Sequence, residues 1–165
     1  MRGAWIVLWL SWTSICLAGP VESISAFRHE YGLSKVRIDP TLTRLAHEQA
    51  EAMAAANKLD HDIRATFANR ISGYSTDHAA ENIAMGNTTF SATFEQWKGS
   101  AGHRHNLLIR DVSRIGIASA GSGGRTYWAL ILAATPKPRR PPRAIAVVRS
   151  VDFMRALKDS LRLQH

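Results

Sequence analysis

Cysteine is nearly absent from this sequence: one residue, Cys16, stands in a chain of 165. It lies in an apolar stretch over residues 1–20 that carries one charged side chain near its start and ends in the small residues Ala18 and Gly19. This three-part pattern is typical of a secretory signal peptide, so we predict a signal over residues 1–18 with cleavage after Ala18. Because Cys16 would leave with the signal, the exported chain could form no internal disulfide and would be stabilised by packing alone.

Two other interpretations of this stretch fit the residues less well. An uncleaved membrane anchor needs about 20 apolar residues, and Ser11, Thr13 and Ser14 interrupt the run. A lipoprotein would need a small residue immediately before Cys16, where Ile15 stands. We therefore expect a secreted or periplasmic protein.

Acidic residues are scarce beside basic ones, at 13 against 21, which gives a formal net charge of +8. Part of the excess lies in a proline- and arginine-rich tract over residues 137–143, and we predict that residues 136–165 form a basic strap followed by an amphipathic helix. Such charge favours anionic surfaces such as envelope polymers or lipid head groups, or is simply a solvated surface. Basic and aromatic residues do not alternate as they do in base-stacking proteins, so we expect no specific nucleic-acid partner.

The compact motifs of familiar catalytic classes are also missing. No pair of histidines flanks a glutamate in the zinc-protease spacing, and no nucleophile elbow is present. The lone cysteine lies in the predicted signal. A functional site in this chain would therefore have to be assembled from residues that are far apart in the sequence.

The patterns between residues 21 and 135 predict one α+β domain. Asp39 and Ser91 are predicted helix caps, and the glycine-rich turn over residues 121–124 suits a hairpin. The predicted elements are helices over 21–31, 40–56, 63–71 and 91–98, a loop over 75–80, a loop or short helical turn over 102–109, and hairpin strands over 113–120 and 126–134.

Two histidines and one glutamate are the candidates for a shared site: His61, Glu81 and His103. We expect each to lie in a loop or at an element end, where functional groups concentrate. Two imidazoles and a carboxylate suffice for a three-ligand divalent metal site with an open position, or for a hydrogen-bonded acid-base cluster. The residue types alone do not choose between these, and Glu81 could instead organise its own loop.

A longer series of residues resembles the bacterial branch of the CAP superfamily, which includes cysteine-rich secretory, venom-allergen and pathogenesis-related proteins. The resemblance covers residues 26–134 and leaves out the predicted signal and the basic tail. The residues that carry it are Glu81-Asn82-Ile83-Ala84-Met85-Gly86, Trp97, Ser100, Gly102-His103-Arg104, Asn106-Leu107-Leu108, Gly116 and Tyr127-Trp128.

The resemblance implies an α-β-α sandwich, with a small antiparallel sheet between helical layers and a cleft that holds two histidines and two acids. His61, Glu81 and His103 match three of these positions, and Ser100 stands at the fourth. Glu95 is about 140° away from Ser100 around a helix and is expected to face elsewhere. With one carboxylate missing, we expect Zn²⁺ or another divalent cation to bind weakly and in a pH-dependent way.

A second departure is Ala80, where the family usually has glycine; a positive φ there would strain alanine. The other histidines, His29, His47, His78 and His105, are expected at the surface. Trp97, Phe94 and Trp128 are expected in the core, and Asn106 in a turn or cap.

The resemblance leaves the function open, because members of the superfamily have diverse roles. Our leading interpretation is a non-enzymatic, monomeric binding module whose cleft takes a metal, a small ligand or an envelope component. Whether it is an enzyme stays open: a metal-assisted hydrolase of peptide or cell-wall material would use Glu81 as general base. Lipid or sterol binding, helped by the basic tail, is a third possibility.

Overall fold

The structure is a computed structural model that describes residues 19–136. The predicted signal peptide with Cys16, and the strap and helix over residues 137–165, lie outside the described residues. The elements in chain order are α1 (Pro20–Glu30), β1 (Arg37–Ile38), α2 (Pro40–Ala56), α3 (Phe67–Ile71), β2 (Ala79–Met85), α4 (Phe90–Gly99), α5 (Ala101–Leu107), β3 (Val112–Ser122) and β4 (Arg125–Ala134).

The four strands form one sheet in the order β1-β3-β4-β2. Strand β4 is antiparallel to both of its neighbours, whereas the two-residue β1 runs parallel to β3. The predicted β3–β4 hairpin is confirmed, with a tighter turn than expected. Gly123 and Gly124 alone connect Ser122 to Arg125, at φ +56° and +74°, values that glycine adopts without strain.

Helices cover both faces of the sheet, and each face has its own apolar core. On one face, Leu42, Ala46, Ala50 and Met53 of α2 pack against β4, with α3 beside them. The other face is covered by α1, α4 and α5. Its buried residues are Ile24, Phe27, Phe94, Trp97, Leu107, Val112, Ile115, Leu130 and Leu132. The predicted α-β-α sandwich is therefore confirmed, as are the core positions of Trp97 and Phe94.

Helix α2 begins where the sequence predicted. Asp39 has extended backbone angles, and its Oδ1 accepts hydrogen bonds from the backbone N–H groups of Thr41 (2.9 Å) and Leu42 (3.1 Å). These bonds satisfy two of the N–H groups that a helix start leaves free. The second Asp39 oxygen accepts a 2.9 Å hydrogen bond from the Tyr74 hydroxyl. This bond links the cap to a residue of the core that α2 forms with the sheet.

Two helix starts differ from the predictions. The cap of α4 is Thr89, whose Oγ1 accepts from Ala92 N (3.3 Å), so the prediction of Ser91 was wrong. Ser91 lies inside the helix, one residue after its start. Helix α3 begins at Phe67, capped by Thr66, and residues 63–66 precede it without helical structure. Polar residues near a helix start offer several capping candidates, and only backbone geometry selects one.

Strand β2 was not predicted. Residues 79 and 80 belong to it and not to a loop, so Glu81 lies inside a strand rather than at an element end. The reason is burial on both faces: helices lie on either side, so the alternation of polar and apolar residues that marks a half-exposed strand is absent. Because Asn57 is the one described non-glycine residue with positive φ, the strain expected at Ala80 does not arise.

Gly116 allows α2 to lie directly on the sheet. A Cβ atom at this position of β3 would meet the Leu42 carbonyl carbon at 2.0 Å and the Thr43 nitrogen at 2.1 Å. Real Cβ atoms essentially never come within 3.0 Å of such atoms. The first turn of α2 therefore fits against β3 only because residue 116 has no side chain.

Candidate functional site

The centre of the site is the carboxylate of Glu81. Strand alternation places this side chain on the same face of β2 as Ile83, toward the α2 layer, and it is 1% exposed. His61 contacts it from the loop after α2, with Nδ1 2.8 Å from Oε1. Two of the three candidate residues are thus joined by a direct hydrogen bond.

A third side chain, Arg70 of α3, completes the contact and was not predicted. Its Nη2 lies 2.8 Å from each Glu81 oxygen and donates a hydrogen bond to Oε1. The guanidinium also donates to the His61 carbonyl (3.0 Å) and lies over the Phe67 ring at 5.4 Å. A single arginine in a short, weakly patterned segment gives no sequence signal for such a role.

Gln49 of α2 forms hydrogen bonds to the loop that carries His61. This side chain is 1% exposed on the inner face of α2, and its Nε2 donates to the carbonyls of Asp60 (2.7 Å) and His61 (3.2 Å). Burying an amide costs free energy unless it forms hydrogen bonds. The two hydrogen bonds of Nε2 therefore fix the loop against the helix. Helix α2 therefore positions His61.

His103 approaches from the other helical layer, on α5. It is partly buried, and its Nδ1 is buried without a hydrogen-bond partner among the described residues. Burial lowers the pKa of His103 below its ordinary value, and the charge of nearby His61 lowers it further. The ring is therefore neutral at pH 7, and His103 lies near His61 without a hydrogen bond to it or to Glu81.

Two asparagines attach α5 to the free edge of β2. Asn106 Nδ2 donates to the Asn82 side-chain oxygen (2.9 Å) and, at 3.4 Å, to the Glu81 carbonyl, while Asn82 Nδ2 donates to the His103 carbonyl (3.1 Å). Asn106 is thus neither the turn nor the cap residue that we predicted. The pair fixes the helix that carries His103 against the strand that carries Glu81.

The fourth position of the expected tetrad does not join this cluster. Ser100 connects α4 to α5, and its hydroxyl makes no hydrogen bond to another described residue. Glu95 is exposed and forms an ion pair with Lys98 (2.7 Å), so it faces elsewhere, as expected. The other histidines within residues 19–136 are exposed, as predicted: His47 pairs with Glu51, and His78 contacts Asp111.

The described donors do not fit a divalent metal ion as they are arranged. Within residues 19–136, no group of three His, Cys, Asp or Glu side chains is placed to hold one. The Glu81 carboxylate, which a cation would need, already has the positive charge of Arg70 against both of its oxygens. Zn²⁺ binding by His61, Glu81 and His103 stays a prediction, and this contact argues against it on charge.

The chain is an α-β-α sandwich with a His-Glu cluster at one edge of its sheet. Comparison of the sequence with known protein families identifies the family. Residues 21–132 match the cysteine-rich secretory protein (CAP) family. This match covers most of the chain, so the chain belongs to the CAP family. The match includes His61, Arg70, Glu81 and His103.

Known proteins of this kind are similar over the same domain. YkwD of Bacillus subtilis (strain 168) is 33% identical over 112 residues, which cover 62% of this chain and 42% of YkwD. An outer surface protein of Borrelia burgdorferi superposes with a TM-score of 0.62 at 22% identity, over 68% of this chain and 86% of that one.

An extracellular protein containing a SCP domain, from Bacillus anthracis str. Ames, also has a TM-score of 0.62 at 22% identity. The superposition covers 39% of that protein and 70% of this chain. The chain thus spans less than half the length of YkwD and of this protein. At these identities the solved structures support the fold alone. Among the described helices, none is long and apolar enough to cross a membrane.

Proposed function

We propose that this protein is an exported, non-enzymatic CAP-domain binding module whose cleft around His61, Glu81 and His103 recognises a small ligand or an envelope component. One observation carries the proposal: a carboxylate that is 1% exposed holds an imidazole that is 49% exposed. The buried partner fixes the orientation of the accessible one. This is the arrangement expected when a ring must present one nitrogen to a ligand.

The hydrogen bond to Glu81 also fixes which nitrogen of His61 faces the carboxylate. A carboxylate accepts hydrogen bonds, so Nδ1 carries a proton and Nε2 is the ring nitrogen left to contact a ligand. Arg70 balances the charge of Glu81, and the lowered pKa keeps His103 neutral. The cleft therefore offers imidazole nitrogens next to a carboxylate whose charge is balanced, which suits a ligand that forms hydrogen bonds through amides or hydroxyls.

The hydrolase alternative draws no support from the position of Glu81. A general base must reach the proton it removes to within about 3 Å, and this carboxylate is buried with His61 and Arg70 against it. Lipid or sterol binding depended largely on the basic tail, whose residues 137–165 lie outside the described part of the chain. Both stay predictions.

Export is part of the proposal and rests on two supports. The first is the signal-like stretch over residues 1–18. The second is the description of structural relatives as an outer surface protein and an extracellular protein. Fractionation of producing cells tests it: we expect the protein in the medium or periplasm, shortened after Ala18, and a full-length cytoplasmic product would contradict it.

Ligand binding is tested by native mass spectrometry of protein recovered from the exported fraction. We expect a non-covalent adduct on the wild type and on His105→Ala, a variant of an exposed histidine on the same helix as His103, and its loss from His61→Ala. Soluble peptidoglycan fragments provide a defined probe, and they should shift the imidazole NMR signals of His61 but not of His105. An adduct that persists on His61→Ala, or the absence of both adduct and shift, would refute binding at this cleft.

The role of Arg70 is tested separately with Zn²⁺ at pH 7. If its charge excludes cations, Arg70→Gln should bind Zn²⁺ at least about tenfold more tightly than the wild type, because a like charge next to the carboxylate has been removed. Arg70→Lys keeps the charge and should resemble the wild type. Saturable Zn²⁺ binding by the wild type that Glu81→Gln abolishes would instead support the metal site predicted from the sequence.

A further inference from the structure

A second candidate site lies at the opposite edge of the sheet from Glu81. Beside β1, a cavity of about 560 Å³ is lined by three cationic and three hydroxyl side chains. These residues, named here the basic groove, are Ser34, Lys35, Arg37, Ser113, Arg114 and Thr135. No acidic residue is among them.

Two of the cations are direct neighbours across the strand pair. Arg37 of β1 stands in register with Arg114 of β3. Like charges placed side by side on a sheet are destabilising. Lys35 is two residues before Arg37 and lines the same cavity. The fold therefore holds three positive charges together at a cost that an anion bound between them would remove.

The three cations that line the groove are not paired with neighbouring acids. None of Lys35, Arg37 and Arg114 forms an ion pair with a described residue. Asp39, the next acid along the chain, is engaged by the cap of α2 and by Tyr74. Asp111 contacts His78. Both carboxylates keep their negative charge nearby and weaken the field of the groove, but neither is paired with one of its three lining cations.

A buried arginine fixes the base of the groove. Arg28 is fully buried, and it donates to the carbonyls of Ser34 (2.9 Å) and Val112 (2.8 Å), which belong to the two chain segments that form the rims. These hydrogen bonds hold the rims at a constant separation. Although burial lowers the pKa of Arg28, an arginine stays charged in proteins, so it adds positive charge beneath the groove.

We infer that the basic groove binds the phosphate group of a larger ligand. Phosphate carries up to two negative charges and accepts several hydrogen bonds, which matches arginine and lysine donors together with hydroxyl groups. Ser113 and Thr135 hydroxyls lie 2.6 Å apart on the rim.

The test uses the full exported chain and tripolyphosphate as a soluble probe, measured by calorimetry at two salt concentrations. Arg37→Gln and Arg114→Gln should each weaken binding about tenfold and reduce the salt slope by about one. Arg110→Gln is the matched control, since it removes the same charge from an arginine that lines a different cavity. It should change the affinity less than twofold.

Equal losses in all three variants, or no binding at millimolar probe, would overturn the inference and leave only a general effect of net charge. If Arg114→Gln fails to fold, the exposed Arg37 still provides the comparison. Co-sedimentation with phosphatidylglycerol vesicles distinguishes the source of the phosphate. Weaker pelleting of Arg37→Gln than of Arg110→Gln indicates a lipid head group, and equal pelleting alongside reduced tripolyphosphate binding indicates a soluble phosphorylated ligand.

Discussion

Replacing Gly116 with alanine tests whether the contact between α2 and the sheet determines stability. The added Cβ would lie 2.0 Å from the Leu42 carbonyl carbon and 2.3 Å from its oxygen, where ordinary contact begins near 3.4 Å. Because these are backbone atoms of a helix, no side-chain rotation relieves the clash. The whole first turn of α2 would have to move by about 1 Å, which strains a well-packed core.

Overpacking of a core typically costs about 1–3 kcal/mol, and a clash with helix backbone belongs at or above the upper end of that range. We therefore expect Gly116→Ala to lose about 3 kcal/mol of unfolding free energy, a large part of the total stability of an ordinary domain. Urea denaturation measures it as a lower midpoint at an unchanged m-value. Displacement of α2 would also move Gln49, so the NMR signal of His61 should shift.

Gly121→Ala is the matched control, because it makes the same chemical change in the same strand. The nearest atom to its added Cβ is the Arg125 carbonyl oxygen at 3.7 Å, an ordinary contact, and its φ is not positive. Its stability should equal or slightly exceed that of the wild type, since alanine is entropically favoured over glycine in a strand. If both variants unfold within about 0.5 kcal/mol of each other, the argument from close approach is wrong.

Three further predictions concern charged and polar groups. Glu81→Gln leaves the 11% exposed Arg70 without its partner and should cost about 3 kcal/mol or more in urea denaturation, whereas Glu95→Gln, in an exposed pair, should cost less than about 0.5. Because burial lowers the pKa of His103, this residue contributes fully to stability above its unfolded-state pKa, near 6.5, and the contribution is lost as pH falls. His103→Asn should therefore flatten the decline of Tm below pH 6.5, and His105→Asn should not. Burial and the hydrogen bond to Asp39 raise the pKa of Tyr74, so stability should fall as pH rises above about 10, a loss that Tyr74→Phe should not show in the same Tm series.

Local signals made much of the fold predictable. The α2 start was readable because a capping aspartate and a first-turn proline stand side by side, and the β3–β4 hairpin because glycines interrupt two runs rich in β-branched and aromatic residues. Strand β2 gave no such signal, since burial on both faces removes the alternation of residue types. Glu81 was consequently expected in a loop or at the end of an element, although it lies inside a strand.

The site was predictable in part. His61, Glu81 and His103 were singled out because their motifs resemble a known family, and spacing alone would have left them unrelated. Arg70 and Gln49 were missed for a physical reason. Their roles depend on contacts with residues that only the folded chain brings near, and a lone arginine or glutamine in a helical segment has no distinctive pattern.

Strand β2 is the outermost strand of its sheet, and this has a consequence for how such a domain can change. Its cluster draws His61 and Arg70 from one layer and His103 from the other, so these groups meet at the edge of the sheet around a buried carboxylate. Substitutions at a margin do not force the remaining strands to re-pair. One scaffold can therefore acquire new ligand preferences at this corner while the packed framework is inherited unchanged.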